Sequence, residues 1–273
     1  MPPQAVITLT SDFGLADPYV AAMKGVILSL NPNAVIVDVS HAIRPQRVEQ
    51  AAFLLEAARP YFPANAIHVA VVDPGVGTER RGLALQTPLG VFVGPDNGVL
   101  SPALPQEVRR AAGEGGGRVP LPEEATGVEL TSPRYHRLPV SDTFHGRDVF
   151  APVAAHISLG VALPELGEAV EDAFVLPPFR ALRRPDGSLA GRVVHVDAFG
   201  NLITDVQRED LPPVEITVEV RGRPIKGLRR SYAEGTGLTA LVGSSGHLEV
   251  ALPGGSAAAE TGADIGDPVA VRA

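Results

Sequence analysis

The 273-residue chain contains no cysteine. That absence excludes disulfide frameworks, zinc–thiolate centres, iron–sulfur clusters and thiol nucleophiles. Basic residues are in deficit as well. Against 31 Asp and Glu there are 23 Lys and Arg, a formal net charge of −8 that disfavours a main role in gripping nucleic-acid phosphates. No stretch approaches the roughly 18–20 apolar residues that a membrane-spanning helix requires, and residues 1–10 (MPPQAVITLT) show neither the basic region nor the apolar stretch of a secretory leader. The expectation is a soluble cytoplasmic protein with no nucleic-acid or membrane partner. Two nucleotide fingerprints are missing too: no G-x-G-x-x-G follows the first strand-like segment, and no glycine-rich loop ends in Gly-Lys-Ser/Thr. What is present is ordinary globular composition, 45% hydrophobic and 20% charged.

The first half alternates strand and helix patterns. Residues 6–10 (VITLT) are β-branched and run into the turn-like Ser11-Asp12-Phe13-Gly14. Asp17 and Pro18 suit a helix start, Val20, Met23, Ile27 and Leu30 mark one helical face, and Asn31-Pro32-Asn33 stops it. A second strand is predicted over 34–40, a helix over 46–58 and a third strand over 67–72, whose near-continuous apolar run suits burial on both faces. This order predicts an α/β N-terminal domain, layered around a mainly parallel central sheet, over residues 1–176. Short strands follow at 83–86 and 91–93, residues 105–140 show no clear periodicity, and a helix resumes near Arg147. Residues 177–190 read as a linker. Closely spaced alternating segments over 191–273 predict a small all-β, barrel-like C-terminal domain.

Ligands of open α/β sheets gather beyond the C-terminal strand ends. Those ends carry Asp12, Ser40-His41 and the loop Asp73-Pro74-Gly75-Val76-Gly77-Thr78-Glu79-Arg80-Arg81. Asp12 is suited either to accepting hydrogen bonds from a ribose diol or to capping a turn. Asp73 and Arg80 form either a surface salt bridge or a paired site across a tight loop. His145, beside Gly146 ahead of a helix, has the chemistry of a general base, a water-holder or an orienting group. His145 and Asp148 have one metal-like spacing but no third ligand nearby, and the other histidines show no metal pattern, so no metal is expected. Asp197-Ala198-Phe199-Gly200-Asn201 and Gly243-Ser244-Ser245-Gly246 are tight turns between strands, offering a carboxylate, an amide and hydroxyls, or serving only as hairpin connections.

In combination these segments resemble the S-adenosylmethionine hydroxide adenosyltransferases, relatives of the S-adenosylmethionine-dependent fluorinase and chlorinase. The resemblance rests on six motifs in family order: residues 10–14 (TSDFG), 37–41 (VDVSH), 72–81 (VDPGVGTERR), 95–98 (PDNG), 143–148 (TFHGRD) and 199–201 (FGN). It implies a homotrimer with ligand sites at subunit interfaces, S-adenosylmethionine as substrate and no cofactor. By the same resemblance Asp73, Arg80 and His145 hold and polarise an attacking water. Asp12 takes the ribose hydroxyls, Asp197, Asn201 and Ser244 meet the methionine end, the backbone from Leu252 to Gly254 touches adenine, and Thr143, Phe144 and Glu249 complete the binding set. Halogenating relatives carry aromatic hydroxyls where Asp73 and His145 stand, and the fluorinase a serine where Gly146 stands, so the resemblance favours water over halide. Ser245 departs from the basic residue of the fluorinase. The implied function is hydrolysis of S-adenosyl-L-methionine to adenosine and L-methionine by in-line attack at ribose C5′. The alternatives are a chlorinase-like halogenase and a non-catalytic adenosine- or S-adenosylmethionine-binding protein.

Overall fold

Three β-branched segments, β1 (Val6–Ser11), β2 (Val35–Ser40) and β3 (Ile67–Val71), lie side by side and parallel in the computed structural model, which describes residues 5–273. Between them run α1 (Tyr19–Leu30) and α2 (Val48–Ala58). Helix α1 begins one residue later than predicted, with Pro18 rather than Asp17 at the cap. β4 (Gly82–Thr87) and β5 (Gly90–Pro95) form a hairpin whose second strand joins β3 in parallel, completing a four-stranded parallel half in the order β2-β1-β3-β5. The sheet then continues antiparallel. The aperiodic stretch 105–140 contains a helical turn, α3 (Gln106–Arg109), and two strands, β6 (Gly117–Pro120) and β7 (Thr126–Glu129). β7 and β8 (Glu168–Val170) extend the sheet to seven strands, and β6 pairs separately with β9 (Asp172–Val175).

The apolar run of β3 is continuous because each face of the sheet has its own core. Ile67, Val69 and Val71 pack with α1 and with α4 (Ala151–Ser158), while Ala70 and Val72 pack with α2 and the β4–β5 hairpin. Register fixes the working edge. Thr10 pairs with Ser40 and Ser11 with Val71, so the chain leaves β1, β2 and β3 at one level, delivering Asp12, His41 and Asp73 to the same rim.

His68, also on β3, is 1% exposed, bonds Thr8 Oγ1 through Nδ1 at 2.8 Å and stacks on Phe92. Burial, reinforced by the Arg59 charge, lowers its pKa to about 4. The unfolded chain takes up this proton near the ordinary value of 6.5, so stability is lost as pH falls from about 6.5 to about 4, by ~3 kcal/mol at the lower end. Urea denaturation at pH 7 and pH 4.5 is expected to show that loss. The double variant Thr8→Val, His68→Phe removes the titrating ring with its partner and is expected to shrink the difference by ~2 kcal/mol.

The chain divides into two compact units, the first ending at Pro178 and the second spanning Phe179–Ala273. Arg109, 1% exposed, anchors the end of the first: it pairs with Glu56 at 2.8 Å and donates to the carbonyls of Leu176 and Pro177. In the second, β10 (Leu182–Arg183), within the stretch read as a linker, pairs with β11 (Leu189–Val196). The remaining strands are β12 (Leu202–Gln207), β13 (Thr217–Val220), β14 (Arg223–Lys226), β15 (Leu228–Arg229), β16 (Thr239–Val242), β17 (His247–Ala251) and β18 (Pro268–Arg272). They follow the path β14-β13-β18-β11-β12-β17-β16-β15, antiparallel except for the last pair. The long β11 serves both halves of this path, bonding β18 through 189–192 and β12 through 193–196. The sheet therefore curls around one core of aliphatic residues, nearly closing into a barrel, and α5 (Ala257–Thr261) packs on it.

Candidate functional site

Asp73 leaves β3 into a loop folded by two successive turns, Val76 N–H to Asp73 O and Thr78 N–H to Gly75 O, both 3.2 Å. The loop brings Arg80 back over Asp73. Arg80 Nε donates to Asp73 Oδ1 and Oδ2 at 3.0 and 3.1 Å, and Nη2 adds a second arm to Oδ2. With the carboxylate side chain 6% and the guanidinium 13% exposed, this is a buried bidentate pair and not a solvated surface bridge. Arg80 also lies over the Phe150 ring, 5.5 Å from its centroid, which limits its movement.

His145 comes from the opposite side, immediately before a wide π turn (Gly146–Phe150) that opens α4. Arg80 Nη2 and His145 Nδ1 are 2.6 Å apart. Arginine only donates, so Nδ1 accepts and the neutral ring carries its proton on Nε2. Burial first, then the charge of Arg80, hold His145 below the ordinary imidazole range, outweighing Asp73, Asp142 and Asp148. The three residues therefore form one connected unit: carboxylate, guanidinium, neutral imidazole.

Gly77 makes this meeting possible. Its φ is +76°, and a Cβ there would lie 2.4 Å from the carbonyl oxygen of Asp142, three residues before His145. The Asp73 loop and the His145 loop thus touch backbone to backbone. From behind, Asn97 Nδ2 donates to Val72 O at 2.8 Å, and Arg81 turns away from the site to pair with Asp96 and Asp172. Asp96 also accepts from Arg118 and from Phe174 N–H. The motif at 95–98 buttresses the loop.

Asp148 is fully buried, and its oxygens are taken by Arg147, Arg137 and the N–H of Ser141. Those bonds hold it below the ordinary carboxylate range against the opposing effect of burial, which is the largest single influence. It braces the loop and is not paired with His145. Among the described residues no group of three or more His, Asp or Glu is placed to hold a metal.

Asp12, Asp73, Thr143, Phe144 and His145 all line one cleft of ≈400 Å³, within the range of small-molecule sites. Its floor is partly aromatic. Phe13, Tyr19 and Phe144 pack pairwise with centroids 5.2–5.8 Å apart, and a Cβ on Gly146 would press on Phe13, Phe144 and Met23 at 3.2–3.3 Å. Arg80 stands behind Asp73, bonded to two lining residues. Sequence reasoning missed Gln46, a further lining residue with φ +66° whose N–H donates to Asp12 Oδ2 at 2.8 Å. Gln46 gives no compositional hint of that backbone, which glycine or asparagine usually adopts.

The second unit has its own cleft, ≈510 Å³, which brings together Asp197, Asn201, Leu252 and Gly254 with Phe199 and Tyr232. Asp197 Oδ1 accepts from the N–H groups of Phe199 and Asn201, and Oδ2 from Asn201 Nδ2, each at 2.9 Å. Gly200 passes so close to Ser256 that a Cβ would meet its Oγ at 2.0 Å. Glu249 sits behind this cleft. It takes a hydrogen bond from Tyr232 Oη at 2.8 Å, and it fills the space where Gly243 lacks a side chain. Burial raises Glu249 and pushes Tyr232 up to about 12, the latter reinforced by Glu249 itself. Ser244 lies exposed in its turn and does not line this cleft. Tyr232 was the residue missed here, since it falls in a stretch without a motif.

Two family models match in sequence order. The SAM hydroxide adenosyltransferase N-terminal domain covers residues 7–167 and the C-terminal domain covers residues 191–270. This chain belongs to the SAM hydroxide adenosyltransferase family. The family match spans both units. Within the family's wider circle, an (R)-S-adenosyl-L-methionine hydrolase of Salinispora tropica is 40% identical over the full length of both chains. One of Thermus thermophilus is 41% identical over 95% of this chain and 96% of its own. A fluorinase of Actinopolyspora mzabensis is 25% identical over 76% of this chain and 73% of its own. Among solved structures, a conserved protein of Thermotoga maritima superposes with a TM-score of 0.84 at 30% identity, over 98% of this chain and all of that one.

Proposed function

We propose that this adenosyltransferase hydrolyses S-adenosyl-L-methionine to adenosine and L-methionine by direct attack of water at ribose C5′. The observation that carries the reading is the buried Asp73–Arg80–His145 unit in a cleft shared with Asp12. A carboxylate facing the nucleophile position repels halide, whereas it orients a water and accepts its proton. The hydrolase relatives, at 32–42% identity, also stand above the fluorinases at 25–27%. The names of those hydrolases specify the R sulfonium, and the same configuration is proposed for this chain's substrate.

The reaction balances without a cofactor. A water oxygen bonds C5′ as the C5′–S bond breaks, and that electron pair stays on sulfur, which leaves as a neutral thioether needing no acid. The water's proton passes to Asp73 and then to solvent. Arg80 keeps its own proton and aligns Asp73 with His145. His145 has committed Nδ1 to Arg80, so it serves the water as an Nε2–H donor, which leaves Asp73 as the acceptor. Pre-placing one water in line and stripping its other neighbours supplies the rest of the rate.

In this reading Asp12 holds the ribose diol, with Thr143 and Phe144 at the rim. Asp197 and Asn201 meet the methionine end, Leu252 to Gly254 the adenine, and Glu249 acts through Tyr232, while Ser244, outside that cleft, is left without a ligand role. The ligand contacts then divide between the two units, consistent with a homotrimer whose sites combine units of adjacent subunits, in the cytoplasm. The deciding experiment is turnover in ¹⁸O-labelled water. Label at the 5′ oxygen of adenosine, with methionine in equal amount, is the expected result. A tight, unlabelled, stoichiometric adenosine would instead identify a binding protein, and a halogenated nucleoside on adding chloride would identify a halogenase.

A further inference from the structure

The rim carries a second cluster of close polar contacts that the hydrolytic step does not use. Ser11 Oγ lies 2.7 Å from His41 Nδ1, and His41 Nε2 lies 3.0 Å from Asp38 Oδ1. Lys24 Nζ reaches the other oxygen of Asp38 at 2.5 Å. Ser11 is 1% and His41 6% exposed, so this end of the cluster is buried, whereas Asp38 and Lys24 lie at the surface; neither Ser11 nor His41 lines the ligand cleft. Burial would raise Asp38, but the bonds from Lys24 and His41 outweigh it and hold it ionised. An ionised carboxylate 3.0 Å from Nε2 electrostatically favours the proton on that nitrogen. Nδ1 is then an acceptor, and the Ser11 hydroxyl donates to it.

Two more bonds tie the same segments together. Gly14 N–H donates to His41 O at 2.8 Å, and Gln46 N–H donates to Asp12 Oδ2 at 2.8 Å. The residues that follow β2 thus grip the turn after β1 on both sides of Asp12 and at Asp12 itself. Gln46 holds a left-handed backbone that non-glycine residues rarely adopt, at the same residue whose N–H binds Asp12. One oxygen of Asp12 is engaged, and Oδ1 is left for a ligand.

We infer that Ser11, His41, Asp38 and the backbone of Gln46 form a positioning frame that presents Asp12 Oδ1 to the ribose hydroxyls. None of them touches the ligand through this frame. It acts through Asp12, by removing the rotamer freedom that a carboxylate on a surface turn otherwise has. The inference rests on the reading that Asp12 binds the ribose diol, and the test separates the two.

The probes are adenosine and 2′,3′-dideoxyadenosine, titrated calorimetrically into the full-length protein. In wild type the diol is expected to improve affinity about 10- to 100-fold, the range of one hydrogen bond to a charged acceptor. His41→Leu and Ser11→Ala are expected to reduce that ratio to about 3-fold or less while dideoxyadenosine binds within about 3-fold of wild type. Ser11→Ala removes a single oxygen and decides the matter if His41→Leu does not fold. His41→Asn, whose side-chain oxygen takes the place of Nδ1, is expected to restore most of the ratio. An unchanged ratio in both disrupting variants overturns the positioning frame, and so does an equal loss of affinity for both nucleosides, the mark of a merely structural role. Asp12→Ala is the reference. Wild-type discrimination in Asp12→Ala overturns the ribose reading itself, whereas discrimination lost there but kept in the other two overturns only the frame.

Discussion

Replacing Asp73 by Asn is expected to lower kcat by at least about 10²-fold and to leave the fold intact. The amide keeps the shape and one acceptor oxygen for Arg80 Nε, but it cannot take a proton from water. Arg80→Ala is expected to cost about as much, since it removes the charge that aligns Asp73 and the donor that fixes the His145 tautomer. His145→Ala is expected to lose a similar factor, with one difference that identifies its role. Burial and Arg80 hold His145 below the ordinary imidazole range, so wild-type activity is expected to be flat above about pH 6.5. It falls only as pH drops through that depressed value, when a second cation forms against Arg80. A kcat/KM profile of His145→Ala lacks that acid limb. Were His145 the proton acceptor, Asp73→Asn would retain much of its turnover and the limb would survive in it unchanged. Wild-type turnover in all three variants sinks the assigned water site.

The parts of this site that were legible in the sequence are those in which a single residue type has few uses. A carboxylate, an arginine and a histidine at strand and helix ends can be read as candidates because α/β sheets gather ligands there. The run 67–72 could be read as a strand covered on both faces, since only double burial tolerates apolar residues at nearly every position. What was not legible depends on contacts between distant segments. Spacing left Asp73 and Arg80 open between a surface bridge and a site, and only the side-chain burial of 6% and 13% decides it. The motif Pro95-Asp96-Asn97-Gly98 gives no hint in sequence of its structural role, in which Asn97 donates its amide to Val72 O and Asp96 is held by two arginines. Strands β6 and β7 escaped the periodicity because GRVP and TGVE each hold a glycine and a single valine, too few apolar residues for an alternation to show. Gln46 escaped because its contribution is a backbone N–H, which no side chain advertises.

Gly77→Ala is expected to have a comparably large effect from a residue with no chemistry of its own. Two separate costs arise. A left-handed φ of +76° strains any Cβ-bearing residue by about 1 kcal/mol. The greater cost is the 2.4 Å approach to the carbonyl oxygen of Asp142, because that atom is backbone and cannot swing aside like a side chain. The two loops have to part. Arg80 and His145 sit on opposite sides of that seam and are joined at 2.6 Å, so a separation of even 1 Å breaks their bond. The expected outcome is a loss of ~2–4 kcal/mol in stability, together with a kcat reduced at least about 10²-fold. Gly160→Ala supplies the control, having φ +93° but nothing within 4 Å of a Cβ. It carries the strain without the collision, so it is expected to lose ~1 kcal/mol and no activity. If Gly77→Ala behaves like Gly160→Ala, the loops have slack between them. The meeting of Arg80 with His145 would then depend on something other than this backbone contact.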